Sequence, residues 1–269
     1  MDKIPFALIA VFTDQLENYK GNTAAVVLLQ EAWSDAKMQQ LAADMNQPAT
    51  TFLLPAKEMN HYSVRWFAPD AEIGLCGHGS LASIAFLFHN RNIKAPLTFE
   101  YGSGTVTGQV LDHQNGSISF KAIPITSEIP VPESLPEALG IPVQAYFKTP
   151  NKDIVLVEKE SLVKTMFPDF YLLRKLKPFG YIITAPGNVV DFVSRTIIPH
   201  VQQLEDPATG SSHVVLAPFW AERLKKTKFK AHQLSKRGGT IKCDIHEDDV
   251  SLIGQFQILA QGEILNNYN

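Results

Sequence analysis

Two stretches of this chain begin alike and stand about half a chain apart. The first is Leu75-Cys76-Gly77-His78-Gly79-Ser80, which runs directly into Leu81, Ile84, Ala85 and Phe88. Those four apolar residues fall at i, i+3, i+4 and i+7, the period of a helix with one buried face. The second is Glu205-Asp206-Pro207-Ala208-Thr209-Gly210-Ser211-Ser212-His213, which opens another apolar run from Val214 to Leu224. The approaches also match: Arg65-Trp66-Phe67-Ala68-Pro69 and Arg195-Thr196-Ile197-Ile198-Pro199 both read Arg-x-apolar-x-Pro, 130 positions apart in 269 residues. A repeated unit of strand, tight turn and apolar helix predicts two similar lobes, each presenting a helix N-terminus to a shared cleft.

The residues at these turns suit one kind of chemistry. Glycines beside a polar residue let backbone approach a ligand with no Cβ in the way. A helix start offers unpaired N–H groups and the positive end of its dipole, which suits a carboxylate. Gly77, Gly79 and Ser80 at the first turn, and Gly210 and Ser212 at the second, are therefore candidate binding residues. His78, Asp206 and Ser211 are the candidate reactive ones. An Asp or Ser before an apolar run also serves as an ordinary helix cap, and that role is compatible with ligand contact. His213 can face either the cleft or the core.

Bulk properties exclude several classes. A net charge of −3 argues against a protein built to grip nucleic acid, so the basic run Arg223, Lys225, Lys226, Lys228 and Lys230 reads as a solvated helix end and loop. The two cysteines, Cys76 and Cys243, read as free thiols of a reducing cytoplasm. The apolar start from Phe6 to Phe12 is too short for a membrane span and lacks a cleavage site after it, so it reads as a buried strand. The histidines show no paired metal-ligand spacing, and no Gly-x-Ser-x-Gly elbow occurs.

In order, strands are expected at 6–12, 23–29, 62–67, 97–101, 104–110 and 117–120, and residues 46–55 read as a turn leading into a strand. Ser34 is expected to cap a helix from Asp35 to Met45. Five prolines between Ala122 and Val143 mark an extended crossover, with a short helix at Glu133–Leu139. Strands follow at 144–147, 153–157, 180–185 and 189–195, with a helix from Glu160 to Met166. Pro218 is expected to bend the second apolar helix. A last strand runs over 250–260, with Gly262 in a late turn. This is an α+β pattern without regular βαβ alternation. It divides at 1–121 and 122–269, with the last strand a candidate to return to the first lobe.

Six motifs now stand in order along nearly the whole chain. They are Val11-Phe12-Thr13 with Gly21-Asn22, the turn from Asn46 to Phe52, Arg65-Trp66-Phe67-Ala68-Pro69, Leu75-Cys76-Gly77-His78, Glu205 to Ser211, and Gln233-Leu234-Ser235-Lys236-Arg237-Gly238-Gly239. In this the chain resembles the phenazine-biosynthesis PhzF-like family, of the diaminopimelate epimerase fold. The resemblance implies two lobes, each a mixed sheet wrapped around a central helix, and a homodimer without metal, nucleotide or other cofactor. It implies an isomerase that moves a proton within a small cyclic or amino carboxylic acid, with His78, Asp206 and Ser211 at the site. The family's proton-carrying glutamate stands in an Asn-x-x-Glu-Thr turn. Here the turn reads Asn46-Gln47-Pro48-Ala49-Thr50, so Ala49 occupies its place. Three explanations follow: a residue changed to trap a substrate complex, a natural variant using His78 or Asp206 as base, or a small-acid binding protein without turnover. Racemases of the fold use one cysteine per lobe. Cys76 matches the first, but Asp206-Pro207 stands where the second would be, so Cys76 reads as a small buried residue.

Overall fold

The computed structural model of the chain describes residues 3–265. They fold as two compact units: one runs to Phe120 and resumes at Ser251, and the other is Lys121–Val250.

The first unit contains β1 (Lys3–Thr13), β2 (Asn22–Leu28), α1 (Asp35–Met45), β3 (Ala49–Pro55), β4 (His61–Phe67), β5 (Glu72–Ile73), α2 (Gly77–Arg91), β6 (Leu97–Tyr101), β7 (Gly104–Val110) and β8 (Asn115–Lys121). The second contains β9 (Ser127–Ile129), α3 (Leu135–Leu139), β10 (Ala145–Lys148), β11 (Lys152–Leu156), α4 (Glu160–Thr165), α5 (Phe170–Leu173), β12 (Gly180–Pro186), β13 (Phe192–Ile197), β14 (Glu205–Asp206), α6 (Gly210–Leu224), β15 (Lys228–Gln233) and β16 (Gly239–His246). The last element among the described residues is β17 (Asp249–Leu265), which returns to the first unit by pairing with β1 from Lys3↔Leu265 to Thr13↔Gln255. Gly262, expected in a turn, therefore sits inside β17 opposite Phe6.

In the first unit β1–β2, β3–β4, β6–β7 and β7–β8 are antiparallel, while β2–β3 and β4–β6 are parallel. Pairing of β17 with both β1 and β8 closes the sheet around α2. Every residue of α2 from Gly77 to Phe88 is buried. A helix apolar on all sides has no stable place at a surface, and enclosure by the sheet satisfies it. On the other sheet face α1 packs Met38, Leu41 and Ala42 against Phe52 and Phe67. Ser34 caps α1 by accepting the Lys37 N–H at 3.3 Å, and Asn46 ends it in the left-handed region.

The second unit repeats the plan. β11–β12 and β13–β15 are parallel, β12–β13 and β15–β16 antiparallel, and α6 is the buried helix. Its other face is covered by α3, α4 and α5 around Tyr146, Tyr181 and Ile183. The register is shared as well. Phe67 pairs with Glu72 and Trp66 with Ile73; Ile197 pairs with Glu205 and Thr196 with Asp206. Each buried helix begins four residues after the second of these pairs. The α+β duplication seen in the motifs is thus present strand by strand.

Two expectations change. The strand expected at 189–195 begins at Phe192, because Gly187 N–H bonds the Asp191 carbonyl in a turn before it. The basic run is helix end and loop only from Arg223 to Lys226. Lys228 and Lys230 lie in β15, where they alternate with buried Phe229 and Ala231, and Lys226 and Lys228 pair with Asp191 and Asp244. The helix α6 runs on through Pro218.

Candidate functional site

In the first unit the site residues gather at the tip of α2. Cys76 is extended and caps the helix, its Sγ accepting the Gly79 N–H at 3.3 Å. The same sulfur lies 3.4 Å from His78 Nδ1. His78 is 6 % exposed, which fixes its ring against the cap. Ser80 Oγ donates to the Cys76 carbonyl at 2.8 Å, so this hydroxyl is turned back into the helix. Gly77 is the first helical residue and is buried.

The strands below the tip explain why Gly79 is a glycine. A Cβ there would stand 2.7 Å from Trp66 Cδ1 and 2.8 Å from Thr51 Oγ1. Thr51 and Trp66 are cross-strand partners on β3 and β4. Ala49 precedes Thr51 by two, so both side chains are on the sheet face toward α2. Ala49 is fully buried. Gly79→Ala is expected to cost up to about 2 kcal/mol, since overpacking costs about 1–3 kcal/mol and Ala recovers about 1 as the better helix former. Urea unfolding of the variant measures it.

Arg65 anchors the approach. Its guanidinium forms a fork on Glu72 at 2.7 Å twice and reaches Asp35 at 2.6 Å. The bonds to Glu72 push its already high pKa further up. Arg195 does the same on Glu205 at 2.6 and 2.9 Å, and adds the Met166 carbonyl at 2.9 Å. This explains the repeated Arg-x-apolar-x-Pro: the arginine ties each central strand to the short strand that leads into the helix.

In the second unit the tip of α6 is held by Gln233. Its Oε1 accepts the Thr209 N–H at 2.8 Å, and its Nε2 donates to the Asp206 carbonyl at 2.6 Å and to Thr209 Oγ1 at 3.0 Å. Thr209 Oγ1 in turn donates to Asp206 Oδ2 at 2.6 Å. The carboxylate of Asp206, 9 % exposed, is therefore oriented by a hydroxyl that is itself fixed. Gly210 and Ser212 are buried in the first turn, and Ser212 Oγ lies 3.0 Å from Thr196 Oγ1. Ser211 is the more open serine, and its Oγ accepts from Lys152 Nζ at 3.3 Å.

Lys152 was not among the residues singled out from the sequence. It pairs with Gly180 as Ala24 pairs with Ala49, so Gly180 is the counterpart of Ala49 in the duplicated plan. A Cβ at Gly180 would stand 3.0 Å from Lys152 Cγ. The glycine leaves the path by which this chain reaches the helix tip. Its neighbour Asp153 points to the other face and is consumed by Tyr146 Oη at 2.5 Å, Lys148 Nζ at 3.0 Å and the Thr149 N–H at 3.1 Å.

His213 belongs to the core. It stacks on Phe192 at 5.9 Å and its Nδ1 donates to the Thr209 carbonyl at 2.8 Å. Burial pushes its pKa down to about 4, so the ring is neutral. Neither cysteine is in a disulfide, both are buried, and burial pushes the Cys243 thiol up. Among the described residues no helix is long and apolar enough to cross a membrane.

Comparison with known proteins shows the family and the fold. The model of a family described as phenazine biosynthesis-like protein (PhzC-PhzF) matches residues 9–262. An uncharacterized isomerase of Halalkalibacterium halodurans is 36% identical, covering 97% of this chain and 98% of its own. The crystal structure of a PhzF-family phenazine biosynthesis protein from Enterococcus faecalis superposes with a TM-score of 0.87 at 34% identity, covering 98% of this chain and all of that one. A hydroxyproline epimerase from Agrobacterium vitis, solved with trans-4-hydroxy-L-proline bound, shares the fold at a TM-score of 0.65 and 11% identity, with 97% and 92% covered.

Proposed function

The chain belongs to the phenazine biosynthesis-like PhzC-PhzF family of isomerases, and from that premise we propose that it moves a proton within a small cyclic or amino carboxylic acid. The observation that carries the reading is the pair of buried helix tips. Each sets a titratable side chain, His78 or Asp206, among glycine and serine where backbone N–H groups and the helix dipole favour a carboxylate. His78 and Asp206 are the candidate proton carriers and Ser211 a ligand contact. Gly77, Gly79, Ser80, Gly210 and Ser212 shape the two tips. The bound epimerase ligand, an amino acid, belongs to the same chemical class.

The reaction needs a group that accepts a proton from carbon and returns it elsewhere. Ala49 carries no such group, and this favours a second reading: a protein that binds the acid without turning it over, by nature or by a deliberate change. The test is incubation of the protein in D2O with a panel of cyclic and amino carboxylic acids, followed by mass spectrometry. Deuterium appearing on carbon in one acid supports the isomerase. Saturable binding of an acid by calorimetry, with no deuterium on carbon, rejects it in favour of the binder. The family assembly is a homodimer by resemblance, and sedimentation tests that separately.

A further inference from the structure

The two buried helices start from unlike caps. Cys76 caps α2 in the ordinary way, its Sγ accepting the Gly79 N–H. Thr209 stands at the same place before α6, yet its side chain makes no capping bond to the helix. Its hydroxyl donates to Asp206 Oδ2 instead, at 2.6 Å. The copies differ at the partner too. Asp206 pairs with Thr196 where Ile73 pairs with Trp66, so the first unit carries an apolar residue in place of the acid. A threonine that forgoes its helix for a carboxylate, in the one copy that has the carboxylate, serves the carboxylate.

Backbone groups fix the direction of the protons in this cluster. Gln233, fully buried, opens the motif at 233–239. Its amide has a single orientation. Oε1 faces the Thr209 N–H at 2.8 Å, which only donates, and Nε2 faces the Asp206 carbonyl at 2.6 Å, which only accepts. A flipped amide would set donor against donor and acceptor against acceptor. Nε2 therefore donates to Thr209 Oγ1 at 3.0 Å, and the one proton of that hydroxyl has to point elsewhere. Asp206 Oδ2 receives it, at the length of a hydroxyl bonded to a carboxylate. Ser235 of the same motif steadies the turn by donating from Oγ to the Pro207 carbonyl at 2.6 Å. Oδ2 is thus occupied by a proton that belongs to threonine, and a proton taken up by Asp206 has only Oδ1 to sit on.

We propose that Gln233 and Thr209 are positioning residues that hold Asp206 as a proton acceptor, with Oδ1 as the oxygen that exchanges a proton with the ligand. This rests on the reading of Asp206 as a proton carrier and names the residues that prepare it. The first readout needs no turnover. In the intact chain labelled with 13C and 15N, the Thr209 hydroxyl proton is assigned by its loss in Thr209→Val. It is expected as a slowly exchanging line with a nuclear Overhauser contact to the Gln233 side-chain amide. Asp206→Ala and Gln233→Leu are each expected to speed its exchange with water about tenfold or more, and Thr209→Ser to keep a slow hydroxyl line. A hydroxyl that exchanges as fast as those of surface threonines, or one unchanged in Asp206→Ala, overturns the proposal. If Gln233→Leu does not fold, the Thr209 and Asp206 variants decide alone.

The second readout is deuterium incorporation from D2O into the panel of acids. Thr209→Val is expected to lower it about ten- to a hundredfold, the worth of one hydrogen bond to a charged group. Thr209→Ser, which keeps the hydroxyl, is expected to restore most of it. Equal rates in the wild type and Thr209→Val, or a loss in Thr209→Ser as deep as in Thr209→Val, overturn the positioning role. The two readings fail separately. A slow hydroxyl line that depends on Asp206, in a protein that exchanges no acid, supports the positioning of Asp206 and rejects the isomerase. Exchange that is indifferent to the Thr209 hydroxyl does the reverse.

Discussion

Ala49→Glu is expected to raise solvent-deuterium incorporation into a bound acid by about 10²–10⁴-fold, the usual contribution of one positioned acid–base group. The expectation comes from where residue 49 stands. It opens β3 on the face toward α2, two residues before Thr51, whose hydroxyl meets the first turn of the helix at Gly79. A glutamate there would stand on the same face as Thr51 Oγ1 and Trp66 Nε1, which have no partner among the described residues, so its carboxylate would have donors nearby. Such bonds favour the ionised form and offset part of the desolvation that a fully buried position imposes. The control is Ala49→Gln, of the same size but unable to take a proton. Equal exchange rates for the Glu and Gln variants, both folded by circular dichroism, would defeat the idea that this position lacks only a base. A large gap between them would locate the deficiency in one side chain and leave the rest of the two tips competent.

The tips themselves were legible in the sequence because they depend on local rules. The spacing of Leu81, Ile84, Ala85 and Phe88 marks α2, and Ser34 marks the start of α1 where its hydroxyl caps Lys37 N–H. The doubled Arg-x-apolar-x-Pro reported the duplication, since the same arginine fork had to be built twice. What stayed hidden depends on partners distant in sequence. The strand β15 was masked by lysines on its open face, though Phe229 and Ala231 alternate beneath them. Gly262 looked like a turn because nothing local announces its pairing with Phe6. Lys152 looked like an ordinary strand residue, and only the path over Gly180 shows it at Ser211. Thr51 and Trp66 stood inside quoted motifs, yet an unpaired donor is a property of surroundings that no spacing encodes. His213 was open between cleft and core for the same reason.

That histidine sets the second large effect. Lowering the pH from about 7 to about 4 is expected to cost the wild-type protein about 3 kcal/mol more stability than it costs His213→Phe. In the unfolded chain the imidazole takes up a proton near its ordinary 6.5, whereas in the fold burial holds it unprotonated down to about 4. Between those values the unfolded state binds more protons, so stability rises with pH through that window. The contribution is fully present above about 6.5 and is lost as the pH falls toward about 4; at about 1.36 kcal/mol per pH unit the gap is worth about 3 kcal/mol. Phenylalanine keeps an aromatic ring against Phe192 and removes the unpaired Nε2. It loses the Nδ1 bond to the Thr209 carbonyl, but that carbonyl still accepts the residue's own backbone N–H at 3.3 Å. The variant should thus lose stability at neutral pH and overtake the wild type in acid, so their urea-unfolding free energies cross. Parallel curves would mean that the ring is reached by water or protonated in place. The core of the second unit would then be looser around α6 than the stacking of His213, Phe192 and Trp220 implies.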